Sequence, residues 1–370
     1  MENHKITIKN LGPIKEINDF EIKKINFLTG KSGTGKSLIC KAIYCFNNIN
    51  FLGISPTKQI FIFNLQERLQ KNFSDYSNYE IKYYYNQQDF IEIKKDEKIL
   101  LSNSFEKKLY KFIENSKIKL ENEDNINIDQ IFRSIKEFDK ELKIKSTVFF
   151  PATRSFVLDF DNLLNLIFRA GNISIKGNDF SYELNEFINS WKIYKKSFKS
   201  IHPEFKEILR GEVEIDLDLI RFKPDGSKNY ISESSLSSGQ KEVLSIAVIL
   251  SKLLEEKQES LLIIEEPESN LFPEDQLKLL EFLVFFANET NSKLLITSHS
   301  PYFCGLADAI LVKNKKDKQL INPKEFSANY LDDGKLISIF DEEDDEINID
   351  YIDSASDIIS DKYRKNKDNE

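Results

Sequence analysis

Several residue types on which whole classes of chemistry depend are scarce here. The 370 residues include 3 cysteines, 3 histidines, 1 methionine and 1 tryptophan. Cys40, Cys45 and Cys304 show no metal-ligand spacing, and two of them fall on one predicted helix. Buried small hydrophobes in a reducing cytosol are their simplest role. With only His4, His202 and His299 to draw on, the composition argues against a histidine-rich catalytic or metal centre. No apolar run approaches the ~20 residues of a membrane span, and the longest candidates, such as Phe282-Leu283-Val284-Phe285-Phe286, are of core length. No signal peptide is recognised, so a cytoplasmic protein with no membrane partner is expected.

Low Trp and Met beside abundant Lys, Ile and Asn point to an AT-rich coding bias. A hydrophobic content of 40% is ample for one large or two ordinary domains. The net charge of −9 is unevenly spread. Residues 341–370 carry twelve acids against four bases, which leaves the first 340 residues at −1. The body is therefore electrically mixed, and a local basic surface remains open to nucleic acid.

Against this background stands a complete G-x-x-x-x-G-K-[ST] phosphate loop, Gly30-Lys31-Ser32-Gly33-Thr34-Gly35-Lys36-Ser37. The apolar strand Ile25-Asn26-Phe27-Leu28 precedes it and the helical run Leu38-Ile39-Cys40-Lys41-Ala42-Ile43-Tyr44 follows, as the motif requires. Glycines let successive N–H groups converge on phosphate oxygens, and the helix N-terminus adds positive potential. Lys36 is then the residue for the β- and γ-phosphates of ATP, and Ser37 a ligand for Mg²⁺. Farther on, Leu261-Leu262-Ile263-Ile264 reads as a buried parallel strand that ends in Glu265-Glu266-Pro267-Glu268. Carboxylates at that end of a strand lie where open α/β sheets place their ligand chemistry. Glu265 is expected to bind Mg²⁺, and Glu266 to orient or deprotonate the attacking water.

Together with Ser235-Leu236-Ser237-Ser238-Gly239-Gln240 and Ile296-Thr297-Ser298-His299-Ser300-Pro301, these stretches resemble the ABC-type ATPases. The likeness is greatest to the branch containing OLD, RecF and SMC-like proteins and the AAA_15 and AAA_21 ATPases. Ile8-Lys9-Asn10-Leu11-Gly12-Pro13-Ile14-Lys15-Glu16 looks like their first strand and turn. Leu236-Ser237-Ser238-Gly239-Gln240 is similar to their signature motif, with Ser238 where transporters usually carry glycine. Glu265 stands where aspartate is more usual, and His299 matches the switch histidine that contacts the γ-phosphate. Val148-Phe149-Phe150-Pro151-Ala152-Thr153-Arg154-Ser155-Phe156 resembles the AAA_15 junction where transporters keep a Q-loop glutamine. No glutamine occurs there, so Arg154 is a candidate for nucleotide sensing or arm coupling, with a helix cap bearing a surface arginine the competing reading.

The resemblance implies an α/β P-loop ABC-type ATPase with two lobes and a short helical arm. The expected parts are a nucleotide-binding lobe over 1–154, an arm over 155–210, a second lobe over 211–340 and an acidic segment over 341–370. Alternation in Lys5-Ile6-Thr7-Ile8 and Tyr79-Glu80-Ile81-Lys82-Tyr83 predicts strands, and Leu163-Leu164-Asn165-Leu166-Ile167-Phe168 a helix. The basic, aromatic run 187–199 is the best nucleic-acid candidate. Its Phe187, Trp191, Tyr194 and Phe198 also fit an amphipathic helix packing inward, and that reading is preferred. Ile352, Ala355 and Ile359 could form a weak stripe in an otherwise solvated terminus.

The resemblance further implies a homodimer or higher oligomer, with ATP between Lys36 and Ser37 of one subunit and Ser237, Ser238, Gly239 and Gln240 of the other. Three function classes follow. One is an ATPase controlling a partner effector in anti-phage defence, as in AAA_15-type systems of the Septu and PARIS kind. Another is a repair or chromosome-maintenance ATPase of RecF or SMC type, which a basic stripe or long arm would favour. The third, a transporter subunit, lacks its Q-loop glutamine. About 70 residues follow His299, few for a Toprim nuclease domain, so a nuclease or toxin activity is expected from a separate protein.

Overall fold

Short apolar runs alternate with amphipathic helices, and the computed structural model gathers them into three layers. It describes residues 4–48, 57–94, 98–121, 135, 137–142, 145–155, 182–216, 219–311 and 321–352. The sheet has a parallel block and an antiparallel wing. The block contains β3 (Ile25–Thr29), β7 (Ser146–Phe150), β11 (Ser260–Glu265), β12 (Lys293–Ser298) and β13 (Phe326–Asp332). The wing contains β1 (Lys5–Leu11), β2 (Ile14–Glu21), β4 (Glu80–Tyr84), β5 (Phe90–Lys94) and β6 (Lys98–Leu101). With β14 (Lys335–Ser338) the spatial order is β6-β5-β4-β1-β2-β14-β13-β3-β12-β11-β7.

Burial explains the two halves. β3 and β11 are buried at every residue, as parallel strands covered on both faces must be. β4 alternates buried with half-buried positions, the mark of a sheet with one drier face. On β11, Leu261 and Ile263 enter the core beneath α1 (Lys36–Asn47), α2 (Lys58–Phe73) and α3 (Asn103–Glu121). Leu262 and Ile264 enter the opposite core. That second core is covered by α4 (Tyr182–Lys196), α5 (Pro203–Leu209), α6 (Ser238–Glu255), α7 (Pro273–Glu289) and α8 (Pro301–Leu311). A small sheet of β8 (Gly211–Asp216), β9 (Leu219–Pro224) and β10 (Ile231–Ser232) leads into α6.

Strands from 1–154 and from 211–340 share one continuous sheet, so the boundary at 154 does not divide it. In the arm region, residues 156–181, including the helix expected at 163–168, lie outside the described residues. The described part folds back as α4 and α5 against α6. Phe187 and Trp191 are fully buried, Tyr194 and Phe198 pack partly against the same core, and the Lys195 ammonium lies 6.0 Å from the Trp191 ring centroid. The aromatics that would have to stack on bases are thus committed to the interior.

The acidic segment begins as folded structure. β15 (Phe340–Asp341) pairs with β16 (Glu346–Ile347), and the Ile347 N–H donates to Asp308 Oδ1 on α8 at 2.7 Å. Phe340, Ile347, Ile349 and Ile352 anchor this stretch to the core, apolar contacts that outweigh the charge around them. Ala355 and Ile359, the rest of the expected stripe, lie outside the described residues.

His4 closes a buried chain of donors under the wing. The Asn47 amide donates to the Tyr83 hydroxyl, Tyr83 donates to His4 Nδ1 at 2.9 Å, and His4 Nε2–H donates to the Leu142 carbonyl at 3.2 Å. Burial, aided by the positive charge of Lys293, lowers its pKa from 6.5 to about 4. The folded protein therefore binds this proton less readily than the unfolded chain. The resulting stability is complete above pH 6.5 and is lost as pH falls towards 4, about 3 kcal/mol in all. Urea unfolding at pH 7 and 4.5 should show a loss about 2 kcal/mol smaller in His4→Gln than in wild type.

Candidate functional site

The site starts from strand register. Thr29 pairs with Ser298, and Thr297 with Glu265, so β3, β12 and β11 end level at one edge of the sheet. The phosphate loop, His299 and the acidic pair leave the sheet there, where parallel α/β sheets assemble ligand sites.

In the loop, Gly30, Gly33 and Gly35 have φ of 140°, 77° and 110°, values open to glycine and strained for other residues. An added Cβ on Gly30 would stand 2.6 Å from the Leu331 carbonyl oxygen, whereas one on Gly33 would meet nothing within 4 Å. Lys31, Ser32 and Gly33 are exposed, and the Thr34 hydroxyl ties the turn by donating to the Lys31 carbonyl at 2.9 Å. α1 then starts with no acidic residue in its first turn, so its positive end is uncompensated. Lys36 is buried, and its ammonium donates to the Gly30 and Lys31 carbonyls at 2.7 and 2.8 Å. Loss of hydration pulls its pKa from 10.5 to about 8 against the opposing pull of the Glu266 carboxylate. Ser37 lies exposed on the next helical position.

The acidic turn is held from several sides. Glu265 is buried, and its Oε2 accepts the Ala152 N–H at 3.3 Å. Glu266 adopts φ +46°, uncommon for a side-chain-bearing residue, with its N–H donating to the Thr297 carbonyl at 2.9 Å. Its carboxylate meets His299 Nε2 at 3.2 Å and accepts the Ser269 hydroxyl at 3.3 Å. His299 Nδ1 lies 3.5 Å from the Lys36 ammonium. Burial and that ammonium lower the His299 pKa, which favours a neutral ring with Nε2–H directed at Glu266. Lys36, His299 and Glu266 therefore stand in line within one chain.

Glu268 is a further part of the site that sequence alone left without a role. It is buried, accepts the Ser298 hydroxyl and receives the His299 backbone N–H at 3.3 Å. Burial raises its pKa. The turn before the switch histidine is thereby fixed to the turn after the acidic pair. Arg154, expected as a sensor or a surface cap, is fully buried among Pro151, Glu265, Glu266 and Glu242. The competing surface-arginine reading is corrected by that burial. Glu242 escaped sequence analysis; its only signal was a lone acid opening the apolar run Val243-Leu244-Ser245-Ile246-Ala247.

The signature residues form the start of α6. Ser237 is the N-cap, its hydroxyl accepting the Gln240 N–H while the Gln240 side chain accepts the Ser237 N–H, a complete capping box. Gln240 also donates to the Leu209 carbonyl at 2.9 Å. Ser237 and Ser238 are exposed, and among the described residues the Ser238 and Gly239 amides have no acceptor. Gly239 is pressed against the turn after the acidic pair, where an added Cβ would sit 2.4 Å from the Asn270 carbonyl oxygen. The chain thus brings the phosphate loop, acidic pair and His299 together and leaves Ser237 and Ser238 exposed, with Gly239 buried behind them.

Gly30→Ala should destabilise the protein by at least about 1–3 kcal/mol, from backbone strain alone, before the collision with Leu331 is counted. Urea unfolding measures the loss, and a midpoint within error of wild type would show that the loop relaxes freely.

A family model described as "AAA domain, putative AbiEii toxin, Type IV TA system" matches residues 25–305. Among curated proteins none matches. Similar solved structures include an SMC head bound to the C-terminal winged-helix domain of ScpA, at 13% identity and TM-score 0.47, covering 91% of this chain and 98% of that one. The SMC head domain from Thermotoga maritima aligns at 12% identity and TM-score 0.39, covering 92% and 98%. A dimeric ATP-binding cassette bound to ADP and Pi in a post-hydrolysis state aligns at 13% and 0.34, covering 90% and 96%. The family match takes in the phosphate loop, signature, acidic pair and His299 alike; the chain belongs to the AAA_21 family and is an ATPase.

Proposed function

We propose that this ATPase works as a head-to-tail dimer that closes on two nucleotides and thereby controls a separate effector, a nuclease or toxin, in anti-phage defence. The observation that carries the dimer is the exposed N-terminus of α6. Among the described residues its Ser238 and Gly239 amides have no acceptor, and exposed Ser238 offers a site for a phosphate supplied by a second copy. Two large aromatics beside the site support a covered face. Phe272, after the acidic turn, is 66% exposed, and Tyr302, after His299, is 70% exposed. The family's description as a putative AbiEii toxin of a type IV TA system supports a toxin-linked role.

The loop fits a polyphosphate: Gly33 at its tip borders open space, and the buried Lys36 ammonium is held by the Gly30 and Lys31 carbonyls at its base. Lys36 and the loop amides hold the β- and γ-phosphates, and Ser37 with Glu265 supplies oxygen ligands suited to Mg²⁺. When bound, Mg²⁺ neutralises charge on the phosphoryl oxygens. Glu266 receives the proton of the attacking water, and neutral His299 fixes its carboxylate while facing the γ-phosphate position. Ser237 and Gly239 of the second copy complete the enclosure.

Because the anionic ligand favours charged Lys36, ATP binding above pH 8 should take up a proton, and affinity should fall about tenfold between pH 7.5 and 9. Calorimetry in two buffers of different ionisation heat reads this uptake. Lys36→Ala should weaken ATP binding at least tenfold, and unchanged affinity would remove Lys36 from the phosphate site.

Glu266→Gln should slow turnover at least a hundredfold and hold an ATP-dependent dimer, seen as a doubled mass by light scattering. A monomer at saturating ATP would sink the sandwich. The same variant, captured from its native cells in ATP, tests the effector. A stoichiometric nuclease or toxin-like protein supports the reading; nucleic acid retained at moderate salt without such a protein would replace it with a RecF- or SMC-type role.

A further inference from the structure

The sandwich leaves open how the signature end of one chain, which would serve its partner's nucleotide, affects the acidic pair serving its own. We propose that Arg154 is the positioning residue that ties the two together, with Glu242 as its counterpart on α6. This rests on the head-to-tail dimer proposed above.

One guanidinium reaches three elements. Arg154 Nη1 donates to the Pro151 carbonyl at 3.2 Å and to the Glu265 carbonyl at 2.6 Å, and Nη2 donates to the Glu266 carbonyl at 3.0 Å. Its Nε forms an ion pair with Glu242 Oε2 at 3.0 Å. Ser155, next in the chain, also hydrogen-bonds Glu242, and Ala152 two residues earlier holds Glu265 Oε2. The short turn after β7 is therefore a clasp between α6 and the end of β11. The ion pair at the centre of this clasp is buried: Arg154 is 0% exposed and Glu242 2%. Stability alone does not call for it, because a buried ion pair is commonly replaceable by apolar residues of similar volume at no loss.

The carbonyl that Arg154 grips belongs to the residue with left-handed φ, Glu266. Turning that peptide would swing the carboxylate away from His299 and Ser269. Glu242 lies five residues past Ser237, about 7.5 Å along a rigid helix. Gly239 meanwhile abuts the Asn270 carbonyl in the turn following the acidic pair. A phosphate engaging the amides of Ser238 and Gly239 thus acts on a helix already fastened to the Glu266 peptide, so loading one nucleotide site sets the hydrolytic geometry of the other.

The experiment compares ATP affinity, ATP-driven dimerisation and kcat at saturating protein and ATP. Glu242→Gln is close in size and shape and keeps all three carbonyl contacts of Arg154. It should bind ATP within threefold of wild type and dimerise at the same protein concentration, yet lose at least tenfold in kcat. Arg154→Lys, which keeps charge but not the planar fork, should behave likewise. The paired change Arg154→Met with Glu242→Leu removes both buried charges together. It should return the thermal midpoint towards wild type without returning kcat. If kcat recovers in step with thermal stability, or stays within threefold in Glu242→Gln, the coupling is overturned while the dimer stands. If wild type itself fails to dimerise in ATP, the sandwich fails first.

Discussion

Three parallel strands ending level is the constraint on which the rest depends. Register in a parallel block is set by buried alternation, because slipping one strand by a residue would exchange every side chain between the two cores. Leu261 and Ile263 belong to one core, Leu262 and Ile264 to the other, and neither pair can trade places. The register that satisfies them also sets Thr29 beside Ser298 and Glu265 beside Thr297. Chemistry here is a by-product of packing: phosphate loop, acid and histidine converge because apolar residues several positions away admit no alternative.

Around that edge the protein buries an unusual number of charges, and each is handled by a specific partner. Lys36 is held by loop carbonyls, Glu265 by a backbone amide, Glu268 by a hydroxyl and an amide, and Arg154 by three carbonyls and a carboxylate. In a low-dielectric setting such groups are costly alone and directional when paired. The pairing is also largely to backbone, so side-chain positions are transmitted to the fold of neighbouring turns.

What could be read from sequence follows from how local each feature is. The phosphate loop needs eight consecutive residues with a strand before and a helix after, and all are written next to one another. The acidic pair declares itself through the apolar run preceding it, and the strands around Ile8 and Ile81 through alternation, though nothing local says that they pair. The Arg154 clasp was illegible for the opposite reason: apart from Pro151 its partners lie 88 to 112 residues away, and Glu242 looks like any helical acid. The folded start of the acidic segment was hidden by composition, because a handful of apolar anchors decides the matter and charge counts do not register them.

The hairpin of β13 and β14 lies between β2 and β3, and the Gly334 carbonyl accepts the N–H groups of Lys15 and Glu16. Among the described strands, the wing is therefore hydrogen-bonded into the parallel block through a hairpin that lies far along the chain from both β2 and β3. During synthesis β1, β2 and β3 emerge well before this hairpin and must wait, with the open edges of two strands exposed to the wrong partners. The phosphate loop, whose Gly30 rests on Leu331, is complete in sequence at Ser37 and complete in space only once Leu331 has been made. A ribosome stalled before residue 331 would carry a nascent ATPase that has its most recognisable motif and cannot yet shape it.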